Sequence, residues 1–247
     1  MSSTMRLDRL LANMGYGSRR EIESMADGER ITLDGVAVVD VDARIALTDD
    51  LAVRLKVDGA AIDPLPNMVV MLHKPLGTTC SHKESGPLIY DLLPSRWKRR
   101  NPQLSSIGRL DKETSGLLLL TDDGALLHRV ISPKQHVAKR YLVTLDRPLR
   151  GDETAVFASG TMMLESEEKP LLPVAMEVLS DTHARVTLHE GRYHQVRRMF
   201  AAMGNHVVAL HRETVGGLSI PADMKAGDFC VLGTADIARI FNGDQAR

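Results

Sequence analysis

Residues Gly108–Gly124 read GRLDKETSGLLLLTDDG. The run Leu117–Leu120 is short and apolar and stops at Asp122-Asp123-Gly124, as a strand buried on both faces should. A polar loop carrying Asp111 leads straight into that strand, so one carboxylate is mounted a few residues from the core. Groups set on rigid elements are held more precisely than groups on free loops. Two roles fit such an aspartate: a turn cap bonding the backbone near Thr114, or a positioned reactive carboxylate. The loop by itself does not choose between them.

Downstream, Ala125–Ile131 reads as a short helix. Lys139–Leu145, KRYLVTL, then places Tyr141, Val143 and Leu145 on one face of a strand. Two further strands are expected at Leu171–Leu179 and Ala184–Glu190. The string Gly191–Met199, GRYHQVRRM, enters a helix whose apolar face is Val196, Met199, Phe200 and Met203. Arg197 is one step, about 100°, from Val196, at the edge of that face. A guanidinium held there needs an anion, and Asp111 is the candidate. The chain closes with Val207–Leu210, a Gly216-Gly217 turn and a helix near Ala235–Phe241.

Upstream, Met68–His73 is a buried-looking strand followed by Lys74-Pro75-Leu76-Gly77. Residues 82–103 are polar and contain Arg96, Trp97, Lys98, Arg99 and Arg100. A basic run with an aromatic inside it suits phosphate contact with base stacking, and a plain surface loop fits it equally well. Asp63-Pro64-Leu65-Pro66-Asn67 is a linker, since two prolines keep the backbone extended and end regular pairing. It divides a small domain, residues 5–62, from a larger one, residues 68–247.

In the small domain Leu7, Leu10, Leu11 and Met14 fall at helical spacing and Gly15 stops the helix. Ser18 and Glu21 form a capping box for a second helix running to about Met25. Asp34-Gly35 joins Arg30–Leu33 to Val36–Val39, and Asp58-Gly59 joins Val53–Val57 to Ala60–Ile62, both hairpin signals. Arg6, Arg9, Arg19 and Arg20 lie off the apolar faces of the two helices, among Asp8, Glu21, Glu23 and Asp27.

The formal net charge of −1 gives no global basic signature, so any grip on nucleic acid is local. Two cysteines, Cys80 and Cys230, are too few for a disulfide framework and lack metal-ligand spacing. No apolar run approaches a membrane span and Met1–Leu11 lacks a signal-peptide core, which points to the cytoplasm. There is no P-loop, no dinucleotide fingerprint and no H-E-x-x-H.

The Gly108–Gly124 string resembles the catalytic motif of the pseudouridine synthases: G-R-L-D, two residues, T or S, one residue, G-L-L. It matches through Gly108, Arg109, Leu110, Asp111, Thr114, Gly116, Leu117 and Leu118. Lys74-Pro75-Leu76-Gly77 resembles the N-K-P-x-G opening of the same domain, with His73 in place of asparagine. KRYLVTL resembles the second motif and GRYHQVRRM the third. EGRYHQVRRMFAAMGNHV followed by HRETVGG is similar to the RsuA-type, small-subunit group; large-subunit relatives tend to carry E-G-R-N-R there. RLDRLLANMGYGSRREIESMADGERITLDGVAV resembles the S4-like RNA-binding domain.

The resemblance implies an α+β chain: a small α/β S4-like domain, then a catalytic domain with a mixed, largely antiparallel sheet flanked by helices. It implies isomerisation of a uridine in 16S rRNA to pseudouridine, by an Asp111 nucleophile paired to Arg197 with Tyr141 against the base. Burial would raise the Asp111 pKa, whereas an adjacent arginine favours the charged form. The target base must be flipped or unpaired. Arg109, Lys74, Arg192, Arg6, Arg9, Arg19 and Arg20 are the expected substrate and RNA contacts. No cofactor, metal, membrane or protein partner is implied; the partner is rRNA or a pre-ribosomal particle, and the chain is expected to be a monomer. A large-subunit (23S) synthase, a catalytically silent assembly factor and a glycoside-cleaving enzyme for free nucleosides stand as alternatives.

Overall fold

The computed structural model describes residues 4–242. The chain divides into two compact units. The first holds the chain up to Met68 together with Leu93–Ser105 and Thr121–Asp123; the second holds Val69–Leu92, Ser106–Leu120 and the chain from Gly124 onward.

The first unit contains β1 (Thr4–Arg6), α1 (Leu7–Asn13), α2 (Arg19–Asp27), β2 (Ile31–Leu33), β3 (Val36–Ala37), β4 (Arg44–Ala46), α3 (Leu51–Arg54), β5 (Leu55–Val57) and β6 (Ala60–Ala61). Leu7, Leu10, Leu11 and Met14 pack with Ile22, Ile31, Leu51 and Leu55 into one buried core. The capping box forms: the Ser18 hydroxyl accepts from the Glu21 amide and the Glu21 carboxylate accepts from the Ser18 amide. Both expected hairpins form, within a sheet of order β3-β2-β5-β6. Asp34-Gly35 (φ 54° and 83°) and Asp58-Gly59 (φ 53° and 77°) supply the two positive-φ residues that this twist requires.

Two features depart from the sequence reading. The start of the expected Val53–Val57 strand is the helical turn α3, whose Leu51 is buried in the core. The described residues also open with β1, paired antiparallel to β4. Three residues are too few to display a period.

From Val69 on, the elements are β7 (Val69–Lys74), β8 (Ser105–Ser106), β9 (Ser115–Thr121), α4 (Gly124–Ile131), β10 (Lys139–Leu145), α5 (Glu153–Ala158), β11 (Ala175–Ser180), β12 (His183–Leu188), α6 (Gln195–Ala202), β13 (Val207–Val215), β14 (Leu218–Ser219), β15 (Phe229–Val231) and α7 (Thr234–Arg239). The sheet runs β11-β12-β10-β13-β9-β7-β15, with β14 on β13 and β8 on β9. Strands β11, β12, β10, β13 and β14 pair antiparallel, as do β7 and β15, while β13 meets β9 in parallel. This is the α+β architecture with a mixed, largely antiparallel sheet. Leu117 and Leu119 pack with Val69, Met71, Val130, Val215 and Ile240 in the second core.

Strand β11 starts at Ala175 rather than Leu171, because Pro173 has no N–H for the ladder. Strand β13 runs on to Val215, well past Leu210. Helix α5 gave no periodic signal. It is fixed instead by the buried Glu153 carboxylate, which accepts from the amides of Arg150 and Gly151.

The crossing of three strands positions the site. Tyr141 of β10 faces Arg212 of β13, and Arg212 faces Gly116 of β9. Gly116 has φ 115°, and a Cβ there would collide with the Arg212 backbone. Only glycine lets β9 and β13 approach this closely.

Candidate active site

Asp111 sits in the loop between Gly108, at φ 72°, and β9. Its own carbonyl closes a turn by accepting from the Thr114 amide at 3.0 Å. The side chain does not cap that turn. It is about one-third exposed (32%), and its Oδ1 lies 3.3 Å from Nε2 of His194. His194 precedes α6 in the left-handed conformation, φ 50° and ψ 33°, and stacks on the exposed ring of Tyr193 at 3.9 Å.

The loop is pinned from the inside by Lys74, at the end of β7. Its Nζ donates to the carbonyls of Thr114 (2.8 Å), Pro75 (3.1 Å) and Lys112 (3.5 Å). The Lys112 carbonyl also accepts from the Gly77 amide. Burial pushes the Lys74 pKa down, against the nearby Cys80, Asp111 and Glu113, which push it up. Lys74 was expected among the RNA contacts. At 0% exposure, with its ammonium on three carbonyls, it offers RNA no surface and instead shapes the loop that carries Asp111.

Arg197 clamps the same loop from α6. One terminal nitrogen donates to the Glu113 carbonyl at 2.7 Å and the other to the Val207 carbonyl at 2.8 Å. The direct ion pair with Asp111 expected from helix geometry is not formed; among the described residues Asp111 pairs with His194. The reason is physical. The edge position does aim the guanidinium at the Asp111 loop, but the Glu113 carbonyl, two residues further along, and the Val207 carbonyl meet it first.

Tyr141 is buried. Its hydroxyl is reached by Arg212 at 3.5 Å, and Arg212 Nε donates to the Leu117 carbonyl at 2.7 Å. Lys139, two residues before Tyr141 and on the same face of β10, donates to the Val137 carbonyl. Burial first, and then the charge of Arg212, bring the Lys139 pKa down to about 8. Across the sheet, Ser115 and His211 line a cleft of about 180 Å³ with Glu113, Leu142 and Thr144, away from Tyr141 and Arg212.

The remaining expected RNA contacts divide sharply. Arg192 reaches Glu190 and Glu167 at 3.1 Å and the carbonyls of Lys169 and Pro170, so it ties down a loop rather than facing solvent. Arg109 stays exposed, 3.4 Å from Glu84. In the first unit Arg6 bridges Asp8 and Asp42, and Arg19 lies 3.8 Å from Asp8 while remaining exposed. Arg9 and Arg20 are exposed and make no ion pair among the described residues.

The basic run is partly structural. Arg96 pairs with Asp63 and lies over the Tyr16 ring, Trp97 is buried, and Arg100 forms a buried pair with Asp122 at 2.8 Å. A buried Trp97 gives no base a face to stack on, so the stacking role expected for this run is not available. Lys98 and Arg99 remain exposed.

Sequence reasoning missed His194 and Arg212. His194 falls inside the third motif string but has no periodic signal, since its left-handed conformation breaks the pattern. Arg212 was detectable: it shares strand parity with the buried Leu210, which marks an inward arginine once β13 is extended. Among the described residues no three or more His, Cys, Asp or Glu side chains are grouped to hold a metal ion, and no helix is long and apolar enough to cross a membrane.

The Asp111 carboxylate thus sits on a doubly clamped loop with His194 against it, and the strand that this loop enters pairs with the strand that carries Arg212 against Tyr141. Residues 68–202 match the RNA pseudouridylate synthase family. The chain is similar to ribosomal small subunit pseudouridine synthase A of Escherichia coli K12, at 40% identity over 96% of this chain and all of that protein. It is similar to the Pasteurella multocida protein of the same name at 36% identity, over 95% of this chain and 98% of the relative. A crystal structure of a pseudouridylate synthase superposes with a TM-score of 0.66 at 34% identity, covering 96% of this chain and 99% of the other. The chain belongs to the RNA pseudouridylate synthase family, in its RsuA-type group.

Proposed function

We propose that this chain isomerises one uridine of 16S rRNA to pseudouridine, with Asp111 as the nucleophile. The observation that carries the reading is the Asp111 carboxylate itself: partly exposed, and fixed by a loop whose backbone is held by Lys74 on one side and Arg197 on the other. Positioning of this kind supplies a large share of the rate when a nucleophile must meet one carbon. Arg197 acts in this reading through the loop rather than as a direct counter-ion. His194 is the cation that faces the carboxylate when protonated.

The uridine is taken from rRNA or a pre-ribosomal particle, by a monomer working in the cytoplasm. It enters flipped out of its helix, because Asp111 cannot reach a sugar–base bond inside a stack. Tyr141 lies against the ring and Arg109 meets the flanking phosphate. The first unit acts as the S4-like module, gripping RNA through Arg9, Arg19 and Arg20. Near-complete coverage of relatives named for the small ribosomal subunit supports the choice of rRNA.

The test is turnover of purified protein on in vitro transcribed 16S rRNA, with Asp111→Asn alongside. Wild type is expected to form pseudouridine at one position and Asp111→Asn to form none. Steady-state turnover by pure Asp111→Asn would sink the assignment.

A further inference from the structure

We infer that Arg212, with Lys139 beside it, holds the negative charge that develops on the uracil ring during the reaction. The inference rests on the pseudouridine synthase reading above and assigns that reading a second pair of catalytic residues.

Arg212 is 3% exposed on a central strand. Its Nε is satisfied by the Leu117 carbonyl and its Nη1 reaches the Tyr141 hydroxyl, but its Nη2 is buried with no hydrogen-bond partner. No carboxylate forms an ion pair with it among the described residues. A buried guanidinium without a counter-ion is costly, by several kcal/mol in general, and such a group persists where an anion arrives with the substrate. Lys139, half-buried two residues from Tyr141, also lacks an ion pair among the described residues: its ammonium donates to the Val137 carbonyl and feels the charge of Arg212. Lys74 is a second fully buried cation, close enough to sense both Arg212 and Asp111. Of these cations Lys74 feels the carboxylates of Asp111 and Glu113, whereas Arg212 and Lys139 form no ion pair among the described residues.

The reaction supplies the missing anion. If an Asp111 oxygen bonds to C1′, the C1′–N1 bond breaks and its electron pair leaves with the ring, spread over N1, O2 and O4. After the ring turns, C5 gives an electron pair to C1′, the carboxylate departs, C5 loses its proton and N1 gains one. Atoms, protons and electrons balance without any co-reactant. If Asp111 instead adds to C6, the displaced pair moves onto O4 of the same ring. Either way charge appears on a ring oxygen that was neutral in the bound uridine. A donor fixed beforehand in a dry site is most effective against charge that appears only during reaction. A planar ring against Tyr141 brings such an oxygen to the Arg212 end of the phenol.

Arg212→Gln, Arg212→Lys and Lys139→Met test this on in vitro transcribed 16S rRNA, with kcat, RNA affinity across a salt series and Tm measured for each. Arg212→Gln is expected to lower kcat by about 10²–10³-fold, the loss typical of one oxyanion donor, with affinity and salt slope unchanged. Arg212→Lys is expected to recover roughly tenfold of that loss by restoring the charge. Lys139→Met is expected to lower kcat by at least about tenfold at undiminished affinity, which keeps the test intact should Arg212→Gln not fold. Normal kcat in either folded neutral variant overturns the inference. So does a loss that lies in affinity with a shallower salt slope, because that marks a phosphate contact. If wild type makes no pseudouridine in 16S rRNA, both readings fall. If wild type is active and Asp111→Asn is dead while Arg212→Gln and Lys139→Met turn over normally, only this inference falls.

Discussion

The arginines and lysines around the Asp111 loop and those on helices α1 and α2 are the same residue types put to opposite uses. Near Asp111, Lys74, Arg197 and Arg212 all end on backbone carbonyls of the loop or of the strand that follows it. On α1 and α2, Arg9, Arg19 and Arg20 are exposed, and among the described residues the one ion pair of the three is Arg19 with Asp8. The acceptors of Lys74 and Arg197 make them scaffolding for the Asp111 loop, whereas the helix arginines stay open to an anion. A basic residue in a functional motif is therefore not by itself an RNA contact. Its acceptors decide.

The largest expected effect that could break this contrast is at Lys74 and Arg197. Lys74→Met and Arg197→Met should each cost about 10²-fold in kcat by letting the Asp111 loop drift, with affinity for 16S rRNA nearly unchanged. A shallower salt slope in either variant would place that residue on the RNA and erase the distinction.

The next effect is on stability, at Lys139. Its folded pKa, about 8, lies below the ordinary lysine value of 10.5, so keeping it charged in the fold is unfavourable. That penalty is fully present below pH 8 and vanishes above 10.5, where the folded and unfolded states are both neutral. Lys139→Met should therefore stabilise the protein at pH 7 by on the order of 2 kcal/mol, and the gain should fade as pH rises through that window. Denaturant titrations at pH 7 and pH 10.5 check it. A gain that is the same at both pH values would contradict the burial of a charged Lys139.

The smallest effect sharpens the other side of the comparison. Arg9→Gln and Arg20→Gln should leave kcat on saturating RNA unchanged and flatten log affinity against log salt by roughly 0.7–0.9 units per lost phosphate contact. Salt-series binding titrations read this directly. An unchanged slope would shift the electrostatic grip to the exposed Lys98 and Arg99.

The comparison also explains how much was legible in the sequence. Elements with strong local signals came through: the leucine strand β9, the alternation of β10, the Ser18–Glu21 cap and both Asp-Gly hairpins. The position of Asp111 on a loop entering the core was equally readable. The partners of the cations were not, because Glu113 reaches Arg197 from 84 residues away and both Glu113 and Val207 offer backbone carbonyls, which every residue has. The burial of Lys74 was hidden for a related reason: a lysine after an apolar run looks like the end of a strand. Arg100 and Asp122 likewise find each other only through folding.

The central claim is that this protein makes one pseudouridine in 16S rRNA through Asp111. Mapping pseudouridines in rRNA from cells with and without the gene, and with the gene carrying Asp111→Asn, tests it most directly. One 16S uridine should lose its modification when the gene is deleted, regain it with the wild-type gene, and stay unmodified with Asp111→Asn. An unaltered 16S map, a loss confined to 23S rRNA, or restoration by Asp111→Asn would contradict the claim.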